Sequence, residues 1–473
     1  MRKRTKQILA LGVAAAMAFS MAACGSKTAD TSDSGAKTDT EKKDDSSSTE
    51  EGKVLNIRVW NDEFMTRVVE QYPGYEKTSD TEGKIGDVTV KWSVEPNDDN
   101  NYQNKLDAAL KAQDSAAADD KVDIFLVEAD YALKYVNADA NVAMKLSDLG
   151  ISSSDLSSQY KYTQQVVSDE NGDLRGSTWQ ICPAGLIYNR AIAKEVIGSD
   201  DPADVQAAVK DWDSYYALGK KMKEAGYLVQ ATPYDTYRVY SNNVSNPWVT
   251  DGKVTVDPSI KDWAEKAKAE VDDGECSQDT LWGTNEWNAG FYPATDTANI
   301  GKGVFCYFGP AWFFNFSMKG DDEKSIAAQG GWGFTAGPQG HFWGGTWICA
   351  AVGSDNPTLD ADLIKTMTAD KDVMTKIATT YSEAVNNSDV IKELAGSDSG
   401  NMKILGGQNP YAEFDAAASK INLSSLGIYD QGCNEEFQNA MKEYFAGNKS
   451  YDEALDIFGT AIHEKYPSVE LAK

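Results

Sequence analysis

Acidic and amide side chains cluster in three short loops, each directly after a stretch that reads as a β-strand. The loops are NDEF (61–64), PNDDNN (96–101) and EADY (128–131). Carboxylates such as Glu63, Glu128 and Asp130 could supply the paired acid and base of a glycoside hydrolase. They could equally accept hydrogen bonds from sugar hydroxyls, which requires no shifted pKa. The residue types leave both alternatives open.

Tryptophan is concentrated in one glycine-rich window, residues 282–347, which holds six of the chain's twelve tryptophans. Large rings in such a setting either fill a core or form platforms for the apolar faces of sugar rings. In the segments 309–314 and 341–347, glycines stand beside the rings and let the backbone approach a ligand closely. This favours platforms in those two segments. The residues concerned are Gly309, Trp312, Trp343, Gly344, Gly345 and Trp347.

The sequence gives little support for a metal site or for a Ser-His-Asp triad. With His341 and His463 as the two histidines, we exclude a histidine-rich metal site, and a Ser-His-Asp triad unless His341 serves it. His341 is predicted to be a loop or core residue. Residues 169–173 begin like a calcium-binding loop, but Leu174 stands where the required glycine should be. We therefore predict no metal and no cofactor.

Alternating segments organise the amino-terminal part of the body. Residues 54–60, 88–94 and 122–127 have the apolar patterns of strands, and helical patterns follow them, to about 71 and over about 101–113. Repeated strand, loop and helix predict an α/β layer with a parallel sheet. Ligands of such sheets bind beyond the carboxyl ends of the strands, where the three acidic loops lie.

Further turns and helices are predicted along the rest of the chain. Asn171-Gly172 marks a hairpin turn. A second hairpin, TDGKVTVDP, precedes a helix that ends near Asp273. The remaining helical patterns cover about 202–226, 359–381, 411–420, 434–446 and 451–465.

Length and charge limit the possible functions. The chain has 473 residues and a net charge of −28. The body after residue 53, of about 420 residues, is long enough for two domains. The negative charge argues against nucleic acid, anionic lipid or polyanionic substrates, because a phosphate-binding surface needs clustered Lys and Arg. It suits a neutral or cationic ligand.

The amino terminus has the order of an export signal. Basic residues precede an apolar run at 8–25 that is short for a membrane span. Met21-Ala22-Ala23-Cys24-Gly25 resembles the lipobox of bacterial lipoproteins, with Met where Leu is usual. An ordinary signal with a chance cysteine, or a buried helix, is the alternative. We predict a signal peptide (1–23), then a diacylated Cys24 on a disordered tether (24–53) spanning roughly 30 Å.

The five other cysteines stand singly, without metal-ligand spacing. Because an odd number cannot all pair, we predict that they are mainly small buried residues. This pattern, with the lipobox, favours a lipoprotein of a Gram-positive anaerobe. The five are Cys182, Cys276, Cys306, Cys349 and Cys433.

Several segments, taken in their order along the chain, resemble the extracellular solute-binding proteins of the maltose and multiple-sugar type. These proteins are the capture components of ABC importers. The resemblance covers nearly all of 53–473. It is carried by DIFLVEADYALKYV, LRGSTWQICPAGLIYNRAIAKEV, GVFCYFGPAWFF, WGFTAGPQGHFWGGTWICAA and AMKEYFAGNKSYDEALDIFGTAIHEKYP. One departure is Trp179-Gln180, with Pro183 further on, where the family has Tyr-Pro; it leaves the identity of the sugar open.

The family implies an α/β, two-lobed periplasmic-binding-protein-like fold with a central ligand cleft and a hinge. The implied lobes are 54–160 with 343–400, and 161–342 with 401–473. Tyr234, Asp235 and Tyr237, with Arg238 nearby, fall where the family contacts sugar from the second lobe. The full set of expected ligand-binding residues is Trp60, Asn61, Glu63, Glu128, Asp130, Tyr131, Trp179, Tyr234, Asp235, Arg238, Trp248, Trp287, Trp312, Trp343 and Trp347.

The resemblance implies capture of an oligosaccharide without chemistry on it. The expected partners are the sugar, a membrane permease and a lipid anchor at Cys24, with a monomeric protein at the outer face of the cytoplasmic membrane. Nucleic acid is not an expected partner. Two alternatives remain: a surface-anchored glycoside hydrolase and a peptide-binding lipoprotein.

Overall fold

The computed structural model describes residues 51–278, 281–293, 301–421, 423 and 425–472. The predicted signal peptide, Cys24 and nearly all of the predicted tether lie outside the described residues. The strands are β1 (Val54–Val59), β2 (Tyr75–Lys77), β3 (Glu82–Ile85), β4 (Val88–Val94), β5 (Ile124–Glu128), β6 (Ser177–Thr178), β7 (Pro183–Asn189), β8 (Leu228–Gln230), β9 (Val249–Thr250), β10 (Lys253–Val254), β11 (Val304–Gly309), β12 (Trp332–Thr335), β13 (His341–Phe342), β14 (Thr346–Ala350) and β15 (Glu470–Leu471).

Helices cover the sheets and form most of the carboxyl-terminal part of the chain. They are α1 (Glu63–Gln71), α2 (Asn101–Ala112), α3 (Ala132–Val136), α4 (Lys161–Gln165), α5 (Arg190–Val196), α6 (Pro202–Ala208), α7 (Trp212–Ala225), α8 (Tyr237–Ser241), α9 (Pro258–Asp273), α10 (Asn285–Ala289), α11 (Ala311–Phe316), α12 (Pro357–Ala369), α13 (Lys371–Tyr381), α14 (Ser388–Ala395), α15 (Tyr411–Ala418), α16 (Asp430–Phe445) and α17 (Tyr451–Lys465).

The first lobe is built on a sheet with the strand order β2-β3-β4-β1-β5-β14-β6. Strands β4, β1 and β5 are parallel, as the sequence predicts, and β14 returns antiparallel to β5. Alternate residues of β1 (Leu55, Ile57 and Val59) are fully buried. The carboxyl ends of the three parallel strands therefore lie at one edge of the sheet, together with the amino end of β14.

The second lobe is built on the order β12-β7-β11-β8, with β13 also paired to β7. Strand β7 runs antiparallel to β11 and β12, and β11 is parallel to β8. Every residue of β7 and β11 is buried, so this sheet is covered on both faces. A small third sheet, β15-β10-β9, contains the predicted hairpin at Asp251-Gly252.

The chain crosses between the lobes on either side of β7 and β13. Strand β6 pairs with β14 in the first sheet, whereas β7, which begins five residues after β6 ends, belongs to the second. On the return, β13 pairs with β7 and β14 with β5. Residues 161–178, which the predicted boundaries give to the second lobe, thus include a strand of the first sheet. Both lobes belong to a single unit of the chain.

Acidic caps divide two of the predicted helical stretches. The stretch 359–381 forms α12 and α13, because Asp370 accepts a hydrogen bond from the Val373 backbone N–H at 2.9 Å and begins a new helix. Likewise, Asp211 accepts from the Ser214 N–H at 2.8 Å and separates α6 from α7. The capping box Ser450/Glu453 begins α17, which has the bounds that the sequence predicts.

The cysteine and turn predictions are confirmed within the described residues. All five described cysteines are buried free thiols. The turn at Asn171-Gly172 is present, with Gly172 at φ +83°. Next to it, the Asp169 carboxylate accepts the backbone N–H groups of Asn171 and Asp173 and pairs with Arg175 at 2.8 Å. None of the described helices combines the length and hydropathy of a membrane span.

Candidate functional site

A cavity of about 450 Å³ lies between the lobes and contains residues from both. This volume is within the range of small-molecule sites in proteins. Its lining is formed by Trp60, Asn61, Glu63, Asn97, Glu128, Asp130, Tyr131, Gln180, Arg238, Trp282, Trp312, Phe316, Ser317, Trp343, Gly344, Gly345, Thr346 and Gln431.

The acidic and amide wall comes from the loops after three parallel strands. Trp60, Asn61 and Glu63 follow β1, Asn97 follows β4, and the loop 128–131 follows β5. These are the three acidic loops that the strand pattern of the sequence predicts to lie together. The Asn61 side chain accepts the Glu63 backbone N–H at 3.1 Å, which fixes the turn into α1. Parallel pairing thus brings together side chains that are distant in the sequence.

The second lobe contributes three rings to the aromatic wall, those of Trp282, Trp312 and Phe316. Strand β11 ends at Gly309 and leads into α11, which carries Trp312 and Phe316 to the cavity. Trp312 Nε1 donates to the Trp343 carbonyl at 2.9 Å, and the two rings lie edge to face with centroids 5.1 Å apart. Trp282 contacts the Trp343 ring at 6.2 Å and is 55% exposed. Partly exposed rings of this kind can stack on the apolar faces of a ligand.

Two glycines bring the backbone to the cavity surface. Gly344 and Gly345 have φ of +71° and +104°, which other residues rarely adopt. A Cβ on Gly344 would lie 3.1 Å from Trp312 Nε1. Glycine there allows the hydrogen bond between Trp312 and the Trp343 carbonyl. Gly309, in contrast, does not line the cavity; a Cβ there would lie 2.7 Å from the Phe313 ring, so packing requires it.

One charged cluster spans the cavity. The two terminal guanidinium nitrogens of Arg238 donate to the two carboxylate oxygens of Asp130, with the Nη1–Oδ1 distance at 2.5 Å. Arg238 also lies 5.8 Å from the Trp343 ring centroid. Glu128 is next to this pair, and its Oε2 accepts the Asp130 backbone N–H at 2.8 Å. Burial, and the negative charge of Asp130, raise the pKa of Glu128 to about 8.

A second cluster lies at the floor of the cavity. Arg67 pairs with Glu63 at 3.5 Å and with Glu383 at 3.3 Å, and Gln180 Nε2 donates to Glu63 Oε1 at 2.8 Å. All four side chains are buried. Burial and the neighbouring Glu383 raise the pKa of Glu63 to about 8. Arg67 also stacks on the Tyr381 ring at 3.6 Å. In this cluster two carboxylates therefore pair with one guanidinium.

Nine of the fifteen expected residues line the cavity, and the other six do not. In the first lobe, Trp179 is fully buried and stacks on Phe64 at 5.2 Å. Trp347 is buried with its Nε1 donating to the Thr163 carbonyl at 2.8 Å. Strand alternation directs Trp347 away from the cavity that its neighbour Thr346 lines. The expectation that these two rings face the cleft is corrected, because both fill the core.

The remaining four residues, and Tyr237 with them, pack inside the second lobe. Asp235 accepts from Trp287 Nε1 at 3.0 Å and from the backbone N–H groups before it, so it organises the turn 233–236. Burial raises the pKa of Asp235 to about 7. Tyr237 and Trp248 share the Asn434 side chain as acceptor, at 2.6 and 3.0 Å. The positions corrected in this lobe are Tyr234, Asp235, Trp248 and Trp287.

Several lining residues were not predicted. Trp282 belongs to the tryptophan window, and Phe316 follows Trp312 by four residues on α11, so each has a local signal in the sequence. Gln180 is in the lobe crossing and Gln431 in the first turn of α16, and nothing in their local sequence marks them. Ser317 and Thr346 complete this set.

The arrangement is suited to binding a polar ligand with apolar faces. Aromatic rings, carboxylates, amides and one guanidinium converge on a single cavity. Within the described ranges, no three His, Cys, Asp or Glu side chains are grouped so that they could hold a metal ion. His341 is buried at 3% exposure in β13. It is a core residue, as expected.

The fold is shared with solved structures of solute-binding proteins. An extracellular solute-binding protein of family 1 aligns with a TM-score of 0.67 at 18% identity, covering 88% of this chain and 99% of that one. A binding protein from B. animalis subsp. lactis Bl-04, in complex with beta-1,6-galactobiose, aligns at 0.62 and 17%, covering 89% and 100%. The galacto-N-biose-/lacto-N-biose I-binding protein of Bifidobacterium longum aligns at 0.62 and 13%, covering 89% and 100%.

The structural similarity establishes the two-lobed fold. At these low sequence identities it does not establish the ligand. No relative was found among curated protein sequences. The family model described as "Bacterial extracellular solute-binding protein" matches residues 77–401, more than half of the chain. The match includes the parallel strands β4 and β5, the lobe crossings between β6 and β7 and between β13 and β14, and the tryptophan window. The chain belongs to the family of bacterial extracellular solute-binding proteins.

Proposed function

We propose that this protein is the substrate-binding lipoprotein of a carbohydrate ABC importer, which captures an oligosaccharide in the cleft and delivers it to a membrane permease. The observation that carries the proposal is the composition of the cavity wall, where the rings of Trp282, Trp312 and Trp343 face carboxylates and amides. Pyranose rings have apolar C–H faces and a hydroxyl rim, and this wall complements both.

The ligands of the structural neighbours support a carbohydrate. Their descriptions name beta-1,6-galactobiose, lacto-N-biose and maltose. In our proposal the aromatic rings stack on the sugar, and Asn61, Glu63, Asp130 and Arg238 bond to its hydroxyl groups, with Glu128 as a further ligand-binding residue. Hinge closure around the sugar would present the closed form to the permease.

The anchor completes the proposal. A signal peptide at 1–23, a diacylated Cys24 and a tether to residue 53 would hold a monomeric body at the outer face of the cytoplasmic membrane, as in a Gram-positive cell. An anchored protein keeps captured sugar near its transporter. The lipobox-like segment Met21-Ala22-Ala23-Cys24-Gly25 supports this part.

A glycoside hydrolase is the main alternative, since Glu63 and Glu128 are carboxyls with raised pKa in one cavity. A hydrolase needs one protonated carboxyl and a second that is ionised and free to act. Here the pKa of both glutamates is raised, and Arg238 occupies both oxygens of Asp130. These pairings favour capture of the sugar over its cleavage.

A ligand screen tests the proposal. The full-length protein is assayed by thermal shift and calorimetry with maltose, beta-1,6-galactobiose, lacto-N-biose and cello-, xylo- and manno-oligosaccharides, and with a peptide panel. We expect saturable binding of at least one glycan, recovered intact by chromatography. Turnover of the glycan would support a hydrolase. A thermal shift with peptides and none with glycans would support a peptide-binding protein.

A further inference from the structure

Glu128 differs from the other acidic residues of the cavity in its partners. Asp130 is held by Arg238 through both oxygens, and Glu63 has Arg67 and Gln180. Among the described residues, Glu128 forms no ion pair with a Lys or Arg; its Oε2 accepts the Asp130 backbone N–H at 2.8 Å. A carboxyl group therefore lines the cavity without a cation of its own.

The charges around Glu128 do not balance. Its own loop supplies Asp130 and Tyr131, α8 supplies Arg238, and the lobe crossing supplies the buried thiol of Cys182. Two carboxyl groups thus share one guanidinium, and the bidentate geometry commits that guanidinium to Asp130. Two carboxylates beside each other in a poorly solvated site retain a proton between them. Burial and Asp130 outweigh Arg238 here, and the pKa of Glu128 is raised.

We propose that Glu128 is a protonated carboxylic acid at neutral pH and a specificity-determining residue that donates its O–H to an acceptor oxygen of the ligand. An ionised carboxylate can only accept hydrogen bonds, whereas the acid has one O–H donor. Glu128 then selects an uncharged sugar that presents a ring, glycosidic or acetamido carbonyl oxygen at that point. This inference rests on the proposed function of the cleft.

Two acidic residues of one loop, Asp130 and Glu128, then have different roles. Asp130, ionised and paired, links the lobes through Arg238, while Glu128, two residues earlier, contacts the ligand as a donor. At alkaline pH Glu128 ionises, its donor is lost, and a second negative charge faces the sugar oxygen. Binding of a neutral sugar should therefore weaken as the pH rises, although the sugar itself does not titrate.

The protonation state can be measured without a ligand. Full-length protein with ¹³C-labelled glutamate carboxyl groups is titrated by NMR, and Glu128→Gln identifies the Glu128 signal. We expect it to titrate near pH 8, well above an exposed glutamate. Glu63→Gln is the matched variant, because Glu63 is the other cavity glutamate with a raised pKa. A Glu128 signal that titrates at an ordinary glutamate pKa would overturn the proposal.

The donor role is tested by calorimetry at about pH 6.5 and about pH 9.5 with maltose, beta-1,6-galactobiose and lacto-N-biose. For a disaccharide that binds, we expect wild-type affinity to fall about tenfold over this range. Glu128→Gln has an amide that donates at every pH, so it should lose that pH dependence. Equal pH dependence in both proteins would overturn the donor role and leave sugar capture intact. If no glycan binds at either pH, the proposed function fails, and the specificity role fails with it.

Discussion

Arg238 and Asp130 form a bidentate ion pair that joins the two lobes across the cavity. Asp130 follows β5 of the first sheet, and Arg238 lies in the first turn of α8 in the second lobe. A second polar contact crosses the same gap, from Gln431 Nε2 to Asn100 Oδ1 at 3.1 Å. The two lobes therefore contact each other through polar groups of their own.

Breaking this pair should favour opening. Because Arg238 and Asp130 are only about a quarter exposed, the loss of two charge-assisted hydrogen bonds should shift the equilibrium toward the open form by about tenfold in Arg238→Ala. We expect a larger radius of gyration in small-angle X-ray scattering and a weaker affinity for sugar. Arg238→Lys should give an intermediate result, since an ammonium group cannot bond in a bidentate manner.

A matched control for Arg238 is Lys371→Ala. Lys371 pairs with Glu393, both sides of that pair are about half exposed, and both residues lie in the first lobe. Its removal should change neither the radius of gyration nor the affinity. A radius of gyration in Arg238→Ala equal to that of the wild type would contradict a role of the pair in closure.

Trp312→Ala should abolish measurable glycan binding in calorimetry. Trp312 is partly exposed to the cavity, and its ring packs edge to face against Trp343. The melting temperature should change little, since most of the packing partners of Trp312 are retained.

Trp347→Phe is the converse control. The loss of the hydrogen bond to the buried Thr163 carbonyl should reduce the free energy of unfolding by about 2 kcal/mol. The affinity for sugar, measured well below the melting temperature, should stay near that of the wild type. The opposite pattern would assign Trp312 to the core.

His341 should make the protein sensitive to acid. Burial lowers the pKa of His341 to about 3, because it disfavours the charged imidazolium. The unfolded chain then binds a proton that the folded chain does not, so stability is lost as the pH falls from about 6.5 toward 3. Melting temperatures between about pH 4 and 7 should decrease less steeply in His341→Phe. His463 is exposed, so His463→Gln serves as control. Equal slopes of melting temperature against pH in the wild type and both variants would refute this role of His341.

Lipid attachment predicts a change of location without a change of affinity. Cys24→Ala should release the protein from cells into the medium, because a thioether to diacylglycerol can no longer form. Calorimetry of the released protein should give the same dissociation constant for sugar as the detergent-extracted wild type. Retention of Cys24→Ala in the membrane fraction would mean that the amino terminus anchors the chain by other means.

The parallel strands and the loops after them could be predicted because their signals are local. The alternating pattern of β1 and the apolar run of β5 mark the strands, and parallel pairing places their carboxyl ends together. The shared position of the loops that line the cavity can be predicted from these two facts. The bounds of β4 and α17 were also predictable, since an uninterrupted pattern and a capping box define them.

Which face of an element a tryptophan occupies was not predictable from its neighbours. Trp343 lines the cavity and Trp347, four residues later, fills the core, because the chain turns at Gly344-Gly345 and enters β14 between them. Asp235 resembles a sugar-binding carboxylate in the sequence, yet its oxygens bond to Trp287 and to its own turn. Such assignments depend on contacts between segments that are far apart in the sequence.

The division of tryptophans between cavity and core gives the protein an optical readout. Trp60, Trp282, Trp312 and Trp343 line the cavity, whereas Trp179, Trp263, Trp287, Trp332 and Trp347 are fully buried. A sugar that covers the first group displaces water from those indoles alone. The buried group supplies a constant emission from the same molecule, so a bound sugar should register as a shift in fluorescence without any added label.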